Sequence, residues 1–124
     1  MEGKILLCVT GGIAAYKAID LASQLTKLGF EVKTAMTKNA LKFVSALNFS
    51  AITNQSVHTD LFEGFDPIPH IHLADWADLT VVAPATANII AKAAQGIGDD
   101  LVSTILLSQP KPILYVPAMN VHIY

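Results

Sequence analysis

The sequence predicts an open, doubly wound α/β domain around a parallel sheet, of the Rossmann-like or flavodoxin-like kind. Three observations lead there. Apolar runs of strand length alternate with stretches of helical period, the order expected of strands joined by crossover helices. Of the 124 residues, 52% are apolar and 15% charged, with a mean hydropathy of +0.48. A parallel sheet covered on both faces would bury such an excess. The strand-like runs also end in small, hydroxyl or amide residues, where open α/β sheets hold their ligands.

Residues 4–10 read as a buried strand through the apolar run Ile5-Leu6-Leu7-Cys8-Val9. Residues 14–28 carry Ala14, Ala18, Leu21, Ala22, Leu25 and Leu28 at a helical period, and Gly29 stops that helix. Residues 31–36 alternate as a second strand. Strand, helix and strand in so short a span make a βαβ unit, hence a parallel pair. Residues 39–47 are expected to be helical, and 50–66 mostly loop with a short extended piece near Val57. Pro67 and Pro69 set up an extended entry into His70-Ile71-His72-Leu73. Residues 79–83 form a third core strand and 87–95 a helix, broken by Gly96 and Gly98. Asp99-Asp100 opens a further helix through Leu107, its acidic pair suiting the positive end of the helix dipole. Residues 112–116 form a fourth core strand. There is no repeat or linker, so residues 1–124 read as one domain.

Several classes are excluded. The uncharged window 79–91 has 13 residues, too few for a membrane-spanning helix, and Pro84, Thr86 and Asn88 interrupt it. Apolar surface left over after the sheet is covered is expected at subunit contacts. A net charge of −2 with eight Lys and Arg gives no footprint for nucleic acid. Met1-Glu2-Gly3-Lys4 runs straight into a strand, unlike a secretory signal. One cysteine suits a reducing cytoplasm, and Cys8 reads as a small buried hydrophobe.

Four strand ends carry the chemistry: Thr10-Gly11-Gly12-Ile13, Met36-Thr37-Lys38-Asn39, Pro84-Ala85-Thr86-Ala87-Asn88 and Pro117-Ala118-Met119-Asn120. Gly11-Gly12 lets backbone N–H groups approach a phosphate at a helix N-terminus, and serves equally as a plain tight turn. A dinucleotide site wants an acidic residue after the second strand. Thr37 and Lys38 stand there instead, which favours a mononucleotide such as FMN over NAD. Asn88 suits a polar ring edge or a helix start, and the Asn120 amide can donate and accept at a carboxylate. His70-Ile71-His72 with Asp75 and Asp78 lacks a third ligand at metal spacing, so no metal is expected. A lone His as general base fits better. Composition does not choose between His70 and His72, while His58 and His122 read as structural.

Thr10-Gly11-Gly12-Ile13-Ala14-Ala15-Tyr16-Lys17, His70-Ile71-x-Leu73 with Trp76-Ala77-Asp78, and the two proline-led segments resemble the homo-oligomeric flavin-containing cysteine decarboxylases over essentially the whole chain. The likeness is greatest to members that decarboxylate 4′-phosphopantothenoylcysteine in coenzyme A synthesis. It implies FMN as cofactor, His70 as active-site base with His72 at a variable position, and Asn120, beside Met119, at the substrate carboxylate. It implies flavin contacts from Gly11, Gly12, Ile13, Thr37, Lys38, Asn39, Thr86, Ala87, Asn88, Ile89 and Ala118. It also implies a homo-oligomer, a trimer or a multiple of trimers, with the site between subunits. Ile89 stands where the family often has Thr. The chain ends at Tyr124, where family members continue into a substrate clamp with a protonating Cys, so the expectation is a flavoprotein domain over 1–124 without that clamp. Peptidyl-cysteine decarboxylases of lantibiotic type, flavin prenyltransferases and non-enzymatic regulatory subunits share parts of the pattern.

Overall fold

A computed structural model describes residues 3–59 and 69–117. Five parallel strands lie in the order β3-β2-β1-β4-β5, namely β1 Lys4–Val9, β2 Glu31–Met36, β3 Val57–His58, β4 Leu79–Ala85 and β5 Ile113–Pro117. The strand β1 is central, pairing Cys8 with Ala35 of β2 and with Val82 of β4. Both of its faces are covered, which is why Ile5 to Val9 are apolar without alternation and all buried.

The helices are α1 Tyr16–Lys27, α2 Ala46–Thr53, α3 Pro69–Trp76, α4 Ala87–Gln95 and α5 Leu101–Ser108. On one face α1 and α2 bring Ala18, Ala22 and Phe49 against Leu7, Val9, Val32 and Met36. On the other, α3, α4 and α5 bring Leu73, Ile89, Val102 and Ile105 against Leu6, Cys8, Ala35 and Val82. The chain winds from β1 towards β3 and then crosses back to β4. Crossovers of one handedness must then lie on opposite faces of the sheet. The domain is doubly wound, as the alternation of elements predicts.

Four local expectations are corrected. Residues 39–47 are not one helix: a 3₁₀ turn at Ala40–Lys42 is followed by α2, which starts at Ala46. Ser45 sets that start, its Oγ accepting from Leu47 N at 3.1 Å. The helix α2 runs on to Thr53, into the stretch read as loop, and Asn54 closes it in a left-handed conformation. The entry at Pro69 is helical rather than extended, because Pro69 occupies the first helical position, where its missing N–H costs nothing, and Pro67 lies outside the described residues. The third core strand also runs two residues past Ala83, to Ala85. The extended piece near Val57 is β3.

Candidate functional site

The direction of winding reverses between β1 and β4, and open α/β sheets bind ligands in the crevice at that point. Here the two strand ends are tied together, the buried Thr10 Oγ1 donating to the carbonyl oxygen of Pro84. A cleft of about 640 Å³ opens above them, within the usual range for a small-molecule site. The end of β1 contributes Thr10 and Gly11, the end of β2 contributes Thr37, Lys38 and Asn39, and the start of α4 contributes Thr86, Asn88 and Ile89. Three of the four strand ends singled out in the sequence therefore meet in one place.

Local hydrogen bonds fix each part. Thr37 N donates to Val9 O at 3.0 Å, holding the end of β2 beside the end of β1. Thr37 Oγ1 accepts from Ala40 N at 3.0 Å, which turns the chain away from the sheet. Thr86 is the N-cap of α4, its Oγ1 accepting from Ile89 N at 3.3 Å. That cap role had been open to Asn88, which instead lines the cleft. Gly11 lies hard against Asn39: a Cβ added there would stand 2.6 Å from Asn39 Cγ and 2.9 Å from its Cβ. Only glycine permits that approach.

Of the other flavin candidates, Gly12 borders the cleft, since a Cβ there would lie 3.8 Å from Thr86 Cγ2. Ile13 is 85% exposed and begins a 3₁₀ turn, and Ala87 is the first residue of α4. His70 lies in the first turn of α3. That helix returns the chain to the amino end of the sheet, where Asp78 N donates to Lys4 O at 2.8 Å and Asp78 Oδ2 accepts from Lys4 N at 2.9 Å. Its first turn therefore faces the rim that carries the cleft. Ala118, Met119, Asn120 and His122 lie outside the described residues.

The cleft has residues that the sequence did not mark. Thr59 after β3 lines it, as do Lys92, Asp99, Asp100 and Leu101. Lys92 Nζ stands 2.9 Å from Asp99 Oδ1 and 3.8 Å from Asp100 Oδ2. The hydrogen bond with Lys92 holds the Asp99 carboxyl below the usual carboxylate range, and the same bond raises the Lys92 ammonium. Asp100 caps α5 in a reciprocal box. Its Oδ1 accepts from Ser103 N at 2.8 Å, and Ser103 Oγ accepts from Asp100 N at 3.1 Å. In the sequence the acidic pair complements a helix dipole; its place in the cleft follows from how α4 packs against α5, which spacing does not reveal. Beneath this wall, burial and then the charge of Asp100 push the Cys8 thiol up to about 12. Among the described residues, no group of three or more His, Cys, Asp or Glu is placed to hold a metal ion. No described helix is long and apolar enough to cross a membrane.

The model of the family described as Flavoprotein matches residues 1–124. The chain belongs to the flavoprotein family. The coenzyme A biosynthesis bifunctional protein CoaBC of Bacillus subtilis (strain 168) is 53% identical over 122 residues, which is 97% of this chain and 30% of that protein. Its counterpart in Mycobacterium tuberculosis (strain ATCC 25618 / H37Rv) is 44% identical over 121 residues, 98% of this chain and 29% of the relative. This flavoprotein chain thus spans about 30% of the length of those relatives. Among solved structures, the FMN-dependent cysteine decarboxylase SpaF superposes with a TM-score of 0.88 at 32% identity, over 98% of this chain and 71% of SpaF. A mutant PPC decarboxylase complexed with pantothenoylaminoethenethiol gives a TM-score of 0.80 at 32% identity, over 98% of this chain and 69% of the other.

Proposed function

We propose that this flavoprotein domain binds FMN and decarboxylates 4′-phosphopantothenoylcysteine to 4′-phosphopantetheine, in coenzyme A synthesis. The observation that carries this reading is the meeting of strand ends at the switch point of the sheet. There Gly11 leaves room for a close approach that a Cβ would fill, with Thr37 and Lys38 beside it and no acidic residue after β2. Such a donor set suits one phosphate and lacks a partner for the second ribose of a dinucleotide. The printed names of the relatives, which concern coenzyme A biosynthesis and FMN-dependent cysteine decarboxylation, support the same substrate and cofactor.

In this reading the backbone of Gly11, Gly12 and Ile13, with Thr37, Lys38 and Asn39, holds the phosphate. Thr86, Ala87, Asn88, Ile89 and Ala118 hold the ring edge. Bound there, the flavin would supply reversible two-electron oxidation of the cysteinyl thiol, so the overall decarboxylation stays redox-neutral. Asn120, beside Met119, orients the substrate carboxylate by donating from its amide. His70 takes and holds the proton given up by the substrate, a step that side chains near neutral pKa assist by about 10²–10⁴-fold. Ile89 has no side-chain hydrogen bond to offer where relatives often have Thr, so its contribution is its backbone and its apolar surface.

The test is to incubate the purified protein with 4′-phosphopantothenoylcysteine and to follow the mass of the product. Loss of carbon dioxide, with FMN released on denaturation, is the expected result. The structural likeness to the peptidyl-cysteine decarboxylase EpiD, at a TM-score of 0.83, and to its complex with the substrate peptide DSYTC, favours one other substrate, a peptide ending in cysteine. Turnover of such a peptide without turnover of the phosphopantothenoyl compound would replace the proposed substrate. Bound NAD in place of flavin would sink the cofactor assignment.

A further inference from the structure

Lys111 lies in the turn between α5 and β5, at the edge of the sheet opposite the cleft. Its Nζ donates to the carbonyl oxygens of Asp75 and Ala77, both at 2.8 Å. Asp75 is in the last turn of α3, and Ala77 directly follows that helix. The last carbonyls of a helix have no partner within it, and a cation there meets the negative end of the dipole. Lys111 is itself held in place. Its backbone N–H donates to Gln109 Oε1 at 3.0 Å, and Gln109 Nε2 donates to Oγ1 of the buried Thr80 at 2.7 Å. One set of hydrogen bonds thus joins β4, the α5–β5 turn and the end of α3.

Other contacts anchor the same half of the helix. Leu73 and Ala77 are buried, Trp76 packs against the core, and the Lys33 ammonium stands 4.6 Å from the centroid of the Trp76 ring. Ile71, nearer the first turn, is exposed. A helix of eight residues is about 12 Å long. Its described anchors, Leu73 to Ala77, lie towards its C-terminal end, with His70 in the turn at the other end. Any tilt permitted at the anchored end is carried to that turn.

We propose that Lys111 is a positioning residue for the active-site base: by clamping the carbonyls at the end of α3, it sets where His70 meets the substrate. This inference rests on His70 being the base, and the experiment separates the two. The rate of decarboxylation is measured for the flavin-loaded protein and for Lys111→Met, Lys111→Arg and His70→Asn. Flavin affinity is measured by titration, and the histidine rings are observed by NMR in the flavin-free protein. Lys111→Met should lower kcat by about ten- to a hundredfold, the scale expected of a small misplacement, with KM and flavin affinity unchanged. Its His70 ring signals should shift and broaden while those of His58, on β3, stay in place. Lys111→Arg, which keeps the donors, should restore both readings. Should Lys111→Met fail to fold, the same measurements are made on Lys111→Gln. Unchanged kcat and unchanged His70 signals would overturn the proposal, as would equal losses in the Met and Arg variants accompanied by weakened flavin binding. Full activity in His70→Asn would instead overturn the assignment of the base, with the ring signals still reporting whether Lys111 positions α3.

Discussion

Cys8, near the carboxyl end of β1, and Gly11, just beyond that end, face opposite demands. At Gly11 the chain must pass close to Asn39, and an added Cβ would stand 2.9 Å from a carbon that side-chain rotation cannot move away. Gly11→Ala should therefore displace the 37–39 segment from the cleft and weaken flavin binding by about tenfold or more, a cost of about 1.4 kcal/mol. Flavin fluorescence quenching reads this directly, and unchanged affinity would show that the close approach is not used. Cys8 faces inward, fully buried, with its thiol pushed up from 9.0 to about 12 by burial and then by Asp100. The folded state thus keeps a proton that the unfolded chain releases above pH 9.0. The thiol form contributes its full stability below that pH, and the contribution is lost as pH rises towards about 12. In the native protein at pH 8, a thiol reagent should leave Cys8 untouched, and it should react once the chain is unfolded in denaturant. Rapid native labelling would contradict the burial. Both residues were legible in the sequence, Gly11 as a phosphate-suited turn and Cys8 as a member of an apolar run. Thr59 and Lys92 were not, since a single threonine after a short strand and a lysine within a helix announce nothing until packing turns them towards a common space.

Helix boundaries in this domain are set by single polar side chains, and the sequence showed some of them better than others. The strands β1 and β2 and the helix α4 match their expected spans closely because their apolar periods are strong and glycine or a strand end bounds them. The 39–47 stretch misled because its apolar residues suit a helix on either side of Ser45, and only the hydrogen bond from Leu47 N to Ser45 Oγ decides which. The start of α3 is hidden because Pro69 suits an extended entry as well as the first position of a helix, which it helps to start. Asp100 is the cap with most at stake, since α5 carries Val102 and Ile105 into the core and Leu101 to the cleft. Asp100→Ala removes an acceptor for Ser103 N and should cost about 1 kcal/mol, within the usual range for a lost N-cap. Urea unfolding measures it. Asp99→Ala should cost less, because its pairing with Lys92 is exposed and such pairs contribute little. A larger loss at Asp99 than at Asp100 would mean that the ion pair, and not the cap, holds the α4–α5 turn.

At the scale of the whole molecule, burying both faces of the sheet does not use up the apolar surface. Ile13 remains 85% exposed, Leu47 71% and Tyr16 59%, with Phe43 and Leu41 also exposed. All five lie on the segments that follow β1 and β2, while Leu107 on α5 and Leu114 on β5 are exposed elsewhere. The sequence indicated an apolar excess without saying where it would appear. Its location depends on which turns of α1 and α2 the sheet leaves uncovered. Exposed apolar side chains on these two segments suit a subunit contact. A head-to-tail contact closes into a ring where its rotation allows, and a trimer, or a multiple of trimers, which the likeness to the cysteine decarboxylases implies, would need such closure. Sedimentation of the flavin-loaded protein should therefore give a trimer or a multiple of it. A charge on this surface should break the ring, so Leu47→Glu and Phe43→Glu should sediment as smaller species. Neither side chain lines the cleft in the single chain. If the ring completes the site, both variants should nevertheless lose flavin, and should regain it as protein concentration drives reassembly. A flavin-loaded monomer that binds as tightly as the native protein would show that one chain holds the whole site, and that the exposed apolar residues serve something else.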